Sequence, residues 1–218
     1  MTKIKICGLF REEDMDAVNV YRPDYVGFII NYPKSHRNID IKSLEVLSKK
    51  LDSSIKRVAV FVNEDMEFIK KLFDKGLFDI IQLHGEEDNK YIQSLKISTK
   101  ADIIKAHKIE DKSSLDKINS CASDLVLIDT GKGGGLSHSI KNIELLKKLN
   151  RRYMLAGGID EANVRYFLKE LSPYALDISS GAETDRRTMF TPVASSPVRA
   201  SSLGSATAAA WIRATPPP

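Results

Sequence analysis

Eight short apolar runs, each followed by a polar or helix-like stretch, set the strongest constraint on how this chain can fold. The runs cover residues 3–7, 25–30, 57–62, 80–84, 102–107, 125–129, 153–157 and 175–179. Helix-like stretches fall at 11–22, 40–51, 64–76, 88–97, 111–120, 139–150 and 160–171. Their apolar residues sit at one-faced helical spacing, as in Phe68, Leu72 and Phe73, or Val164, Phe167, Leu168 and Leu171. Asn63 before Glu64, Asp65 and Glu67 reads as a cap followed by first-turn acids, and Asp160 opens the last helix similarly. Such alternation predicts right-handed βαβ units and a parallel sheet. Two closures compete at this point: a (β/α)8 barrel and an open doubly wound sheet.

Polar residues inside the strands separate the two. Central strands of an open parallel sheet meet helices on both faces and are apolar on both. Here Lys5 and Cys7 share a face, as do Gln82 and His84, Lys105 and His107, and Asp177 and Ser179. Their neighbours Ile4, Ile6, Ile81, Leu83, Ile104, Leu176 and Ile178 are apolar. Several strands doing this require a shared polar interior. A TIM barrel supplies one, and its active sites lie at the C-terminal ends of the strands. Asp129 ends its strand on the same side as Leu125 and Leu127.

Composition narrows the function classes. A chain of 218 residues with 42% hydrophobic content has room for one domain and a substantial core. No apolar run approaches the ~18 residues of a membrane span. The first residues enter a strand-like segment without a signal peptide's apolar core. The two cysteines, Cys7 and Cys121, exclude a disulfide framework and a cysteine-rich zinc site. A cytoplasmic protein is expected, with neither membrane nor metal.

The net charge of +4 is unevenly spread. Four arginines and no acid or lysine fall in residues 186–218, so residues 1–185 are neutral. A neutral body does not carry a nucleic-acid binder's footprint. The tail holds five of the eight prolines and is dominated by Ala, Ser, Thr and Pro. The expected organisation is a domain at 1–185 and a low-complexity tail at 186–218, non-native or disordered.

Glycines mark the strand ends. Gly157 and Gly158 follow the seventh strand, and Ser179, Ser180 and Gly181 follow the eighth. Loops at those two places in phosphate-binding barrels present backbone N–H groups to a phosphate. Gly133, Gly134 and Gly135 offer a third wall after the sixth strand.

These residues carry a resemblance. Lys5-Ile6-Cys7-Gly8, Tyr32 through Arg37, Val58 through Asn63, Gln82-Leu83-His84-Gly85-Glu86-Glu87, Leu127 through Thr130, Leu155 through Ile159 and Asp177 through Gly181 occur in order. Together they resemble the phosphoribosylanthranilate isomerase family, from residue 3 to about 185. The resemblance implies a (β/α)8 barrel that performs an Amadori rearrangement in tryptophan biosynthesis without metal or cofactor. It implies a small phosphosugar substrate and a monomer or homodimer.

The resemblance also assigns roles. Asp129 matches the general acid, and must hold a proton near neutral pH, so burial or a nearby anion such as the substrate is expected to raise its pKa. Cys7 matches the general base, and Lys5 on the same face is expected to lower its thiol pKa. Arg37 matches the residue that grips the anthranilate carboxylate through its planar fork. Gly157, Gly158, Ser179, Ser180 and Gly181 are left for the phosphate. Asp177 is expected to support the acid or orient the sugar, and His84 to donate from behind the catalytic groups or to pack neutrally. Lys105 and His107 are inward-facing without a role, and Cys121 is a packing residue.

Two departures stand out. The loop Gly133-Gly134-Gly135-Leu136-Ser137-His138-Ser139 lacks the family's usual last glycine and following residues. After Asp185 the tail replaces the expected final helix. That predicts wet outer faces on strands eight and one, at Leu176, Ile178, Ile4 and Ile6, unless Trp211, Ile212 and Ala208–Ala210 cover the gap as a makeshift helix. A non-catalytic phosphate-binding barrel is the alternative if Cys7 and Asp129 are misplaced. An epimerase or indole-glycerol-phosphate synthase would need paired carboxylates or ligating histidines, or a lysine acid and a longer start.

Overall fold

The structure, a computed structural model, describes residues 2–131 and 143–182. Its strands are β1 (Lys3–Cys7), β2 (Tyr25–Ile30), β3 (Asn38–Ile39), β4 (Lys56–Phe61), β5 (Ile80–Leu83), β6 (Asp102–His107), β7 (Leu125–Asp129), β8 (Tyr153–Ala156) and β9 (Ala175–Ile178). The helices are α1 (Glu12–Tyr21), α2 (Ile41–Lys50), α3 (Met66–Asp74), α4 (Asn89–Thr99), α5 (Lys112–Asn119) and α6 (Val164–Glu170). A further helical segment covers 143–146, within the stretch expected at 139–150.

All strand pairs are parallel, in the order β1-β9-β8-β7-β6-β5-β4-β2-β3, and β1 also pairs with β2. That pairing closes eight strands into a barrel. The two-residue β3 was not expected, and only extends the edge of β2. The open sheet is excluded.

Two apolar layers hold the barrel. Tyr25, Val58, Ile104, Ala106, Leu127, Met154, Ala156 and Ala175 form the interior cluster. The alternate residues, among them Ile6, Phe28, Phe61, Leu83, Ile103 and Leu155, join Met15, Leu47, Leu72 and Phe167 of the helices in the outer core. Ile4, Ile6, Leu176 and Ile178 belong to that outer core and are 1, 0, 0 and 0% exposed, so the expected wet faces are corrected. The tail at 186–218 and the loop at 133–139 lie outside the described residues.

The register corrects a second expectation. Gln82 of β5 pairs with Ile104 of β6, and Ala106 pairs with Leu127. Ile104 and Ala106 are therefore the inward residues, and Lys105 and His107 face outward. Lys105 Nζ donates to the carbonyls of Gly85 at 2.6 Å and Ala106 at 3.1 Å, with Glu87 at 3.3 Å. It pins the loop after β5 from outside. Burial is the main reason His107 falls to a pKa of about 4, so it is neutral.

Helix starts were also displaced. Asp65, not Asn63, caps α3 by accepting from Phe68 N. Asn63 has φ +51°, and its side chain accepts from Glu86 N at 2.6 Å. Asp160 makes a turn with the N–H groups of Ala162 and Asn163 before α6 begins at Val164.

Candidate active site

The C-terminal ends of β1 and β9 meet around a buried ion pair. Lys5 is 0% exposed, and its Nζ lies 2.8 Å from Asp177 Oδ1. Burial opposes its charge, but Asp177 and the Cys7 sulfur outweigh that and hold the ammonium above its ordinary range. Asp177 is thus bonded to Lys5, on the Cys7 side of the mouth.

Cys7 is the last residue of β1 and is buried. Its partner in register on β2 is Gly27. A Cβ there would stand 2.6 Å from Cys7 Sγ and 3.2 Å from Lys5 Nζ. Only glycine leaves room for both, and a glycine within an apolar strand was the overlooked signal. Burial pushes the thiol above its ordinary pKa, while Lys5 and Arg37 pull it down less strongly. The expected lowering by Lys5 is present, and burial exceeds it.

Arg37 lies between β2 and β3, and its Nη1 donates to Ser179 Oγ at 2.6 Å. Its stem crosses Gly8, where φ is +87° and a Cβ would meet Arg37 Cδ at 2.5 Å. The guanidinium is thereby drawn over the mouth beside Cys7.

Asp129 ends β7 across the barrel mouth, with its side chain 32% exposed. Its Oδ1 accepts from Gly131 N at 2.9 Å. Its Oδ2 lies 3.6 Å from His84 Nε2, longer than a formed hydrogen bond. His84 is the main influence holding the carboxyl below its ordinary range, ahead of burial, which acts the other way. The expected upward shift is therefore corrected for the free protein: imidazole and backbone N–H both favour the anion. On β5, Gln82 Nε2 lies 3.1 Å from His84 Nδ1. Sequence reading placed Gln82 on the same face as His84 without giving it a role.

The loops after β8 and β9 converge beside these groups. Gly157 and Gly158 have φ of +97° and +65°. Thr130 Oγ1 donates to Ala156 O and Gly157 O at 3.0 and 3.1 Å, tying the β7 end to the first loop. Ser180, Gly181 and Ala182 form a 3-10 turn. A Cβ on Gly181 would fall 2.0 Å from Ile159 O, so the two loops touch there. A cavity of about 340 Å³ opens next to His84 and Asp129, lined also by Glu87 and Lys108. Cys121 lies away from the mouth after α5, partly buried against the outer core. No group of three or more metal-ligating side chains occurs among the described residues.

Comparison with known proteins gives this arrangement its family. The model of the N-(5'phosphoribosyl)anthranilate (PRA) isomerase family matches residues 4–187. The N-(5'-phosphoribosyl)anthranilate isomerase of Clostridium acetobutylicum is 42% identical over 192 residues, covering 85% of this chain and 91% of its own. That of Endomicrobium trichonymphae is 41% identical over 190 residues, with the same coverage. The crystal structure of the Thermotoga maritima enzyme superposes with a TM-score of 0.74 at 30% identity, covering 84% of this chain and 90% of that one. A phosphoribosyl anthranilate isomerase structure in complex with reduced 1-(o-carboxyphenylamino)-1-deoxyribulose 5-phosphate gives 0.71 at 30% identity and covers 84% and 89%. With a closed (β/α)8 barrel whose mouth brings Cys7, Arg37 and Asp129 together with the two glycine loops, this chain belongs to the phosphoribosylanthranilate isomerase family.

Proposed function

We propose that Cys7 and Asp129 are the base and acid of the family's reaction in this chain. The reaction is the Amadori rearrangement of N-(5-phosphoribosyl)anthranilate to 1-(2-carboxyphenylamino)-1-deoxyribulose 5-phosphate, in tryptophan biosynthesis. The observation that carries the reading is positional. Cys7 and Asp129 end β1 and β7, strands whose interior residues face one mouth, and each has a polar partner at its reacting atom.

Asp129 gives its proton to the ribose ring oxygen as the anthranilate nitrogen lone pair expels that oxygen from C1. The ring opens to a protonated Schiff base. Cys7, as thiolate, takes the C2 proton, and the C2–H electron pair becomes the C1=C2 bond of an enolamine. Proton return to C1 and loss of the C2 hydroxyl proton leave the ketone. The free protein favours the opposite protonation, a thiol and a carboxylate. A bound dianionic phosphate and a carboxylate raise the proton affinity of Asp129.

Arg37 holds the anthranilate carboxylate, and its bond to Ser179 sets the direction of its fork. Gly157, Gly158, Ser179, Ser180 and Gly181 receive the phosphate on backbone N–H groups. His84 acts through Asp129, and Asp177 through Lys5. Residues 1–185 form the isomerase domain, and 186–218 are a tail outside it, a boundary that fits the family match ending at residue 187. We place the enzyme in the cytoplasm as a monomer or homodimer. One Thermotoga maritima relative is described as dimeric, and no described helix is long and apolar enough to cross a membrane.

The test follows loss of phosphoribosylanthranilate fluorescence with Cys7→Ala and Asp129→Asn. General acid–base groups contribute about 10²–10⁴-fold in rate, so each variant is expected to lose at least about 10² in kcat. Activity near wild type in either folded variant refutes the assignment of that residue. The non-catalytic alternative requires misplaced Cys7 and Asp129, and the mouth geometry gives it no support.

A further inference from the structure

Gln82 is 1% exposed at the inward face of β5, two residues before His84. Its Nε2 lies 3.1 Å from His84 Nδ1, and its Oε1 is buried without a hydrogen-bond partner among the described residues. The far nitrogen of the same ring, Nε2, points at Asp129 Oδ2, 3.6 Å away. An amide, an imidazole and a carboxyl thus form a line from the barrel interior to the mouth.

We propose that Gln82 is a positioning residue that selects the tautomer of His84 and thereby sets whether Asp129 carries a proton. The inference rests on Asp129 being the acid.

With His84 neutral, the line has two internally consistent states. With the Gln82 amide N–H donated to Nδ1, His84 must carry its proton on Nε2, and that N–H faces a carboxylate. The imidazolium is excluded, because both ring nitrogens would then be donors. With the amide turned over, Oε1 accepts from Nδ1–H. Neutral His84 then presents a bare Nε2, which accepts from a protonated Asp129. Each orientation leaves one buried amide atom unpaired, Oε1 in the first and Nε2 in the second. The unpaired-atom penalty falls on both orientations, so neither wins by it. Glutamine is the side chain of this shape that can donate in one state and accept in the other.

The first state suits the resting carboxylate, and the second suits the acid the reaction needs. Turning the amide lets His84 follow the proton on Asp129 instead of opposing it. Around the line lie Glu86 and Glu87 after β5, Lys105 and His107 on β6, and Lys108 beyond it. Lys108 favours the Asp129 anion, as His84 does, so amide reversal is the move by which this line accommodates the acid.

The experiment uses the full chain with Gln82→Met, which keeps the length and removes both donor and acceptor, and Gln82→Glu, which only accepts when ionised. Nitrogen-15 histidine spectra, with His84 assigned by its loss in His84→Asn, report the tautomer. The pH dependence of kcat reports the acid. Wild type is expected to show the Nε2–H tautomer. Gln82→Met is expected to lose that preference, and Gln82→Glu to fix Nδ1–H. Gln82→Met is expected to lose about tenfold in kcat, a fraction of the ~10²–10⁴ available to an acid–base group, with the basic limb displaced and KM near wild type, whereas Gln82→Glu, fixed in the state that suits the acid, is expected to move that limb to higher pH. Unchanged His84 spectra and an unchanged kcat profile in folded Gln82→Met overturn the proposal. Should that variant not melt cooperatively, the same null result in Gln82→Glu overturns it. Full activity in Asp129→Asn refutes the reading beneath it, whereas an inactive Asp129→Asn beside an unaffected Gln82→Met refutes the role of Gln82 alone.

Discussion

Lys5 and Asp177 show what one buried charge demands of its surroundings. A lysine at 0% exposure keeps its ammonium because a carboxylate sits 2.8 Å away, with the Cys7 sulfur adding to its effect. Asp177→Asn removes that partner and leaves an uncompensated interior charge. Its expected cost is about 3–5 kcal/mol, readable by urea unfolding, and the Lys5→Met, Asp177→Leu double variant should recover part of it. Asp129 has a pH signature of a different kind. Its folded-state pKa lies below the ordinary value. The stability it contributes is therefore present above the unfolded-state pKa of about 4 and is lost as pH falls through the folded one. Wild type is expected to lose more stability than Asp129→Asn on passing from about pH 5 to pH 3, as measured by unfolding midpoints. Cys7 runs opposite to habit for a thiol proposed as a base. Burial raises it, so alkylation of Cys7 in the free enzyme should stay slow until pH exceeds about 8.5. Rapid labelling of Cys7 at neutral pH, followed by mass spectrometry against Cys121, would count against that.

At the element scale, the loops after β8 and β9 act as one unit because they touch. Gly181→Ala would drive a methyl into Ile159 O, 2.0 Å from the ideal Cβ position. The backbone on both sides must separate, and the N–H groups proposed for the phosphate separate with it. KM is expected to rise about tenfold, roughly 1.4 kcal/mol of lost binding, with kcat less affected. A steady-state split that falls on kcat alone would sink that role. This scale also shows how far the chain could be read before its fold was known. Strand and helix positions were legible because Val, Ile and Leu runs and one-faced helices have distinct periods. The polar interior was legible from Lys5, Gln82 and Asp177. The β6 assignment failed for a definable reason. Period two says that Lys105 and His107 share a side, but not which side. That is settled by the pairing of Gln82 with Ile104, a fact about a neighbouring strand. Gln82 itself was visible as polar, while its line to Asp129 needed the distance across β5 and β7. The carboxylate state of Asp129 in the free protein was not legible, because the sequence does not show His84 arriving at its oxygen.

For the whole molecule, the barrel closes through residues near both ends of the matched region. Lys3 pairs with Ala175 and Ile6 with Ile178. Residues 186–218 have the composition of a tail rather than of a packed helix. A chain ending at residue 185 is therefore expected to melt cooperatively within about 2–4 °C of the full chain, the shift that ~1 kcal/mol causes at this size. A larger loss would show that the tail supplies part of the core.

The bond between Lys5 and Asp177 joins residues 172 positions apart. A ribosome adding about 5–20 residues per second needs roughly 9–34 s to travel that distance. Throughout that interval the nascent chain holds a lysine without its counter-charge, and a first strand whose closing neighbour has not been made. Earlier strands can pair with β1 on one side only. The catalytic end of this enzyme is thus a late product of its own synthesis, and an unfinished chain has no isomerase site to misuse.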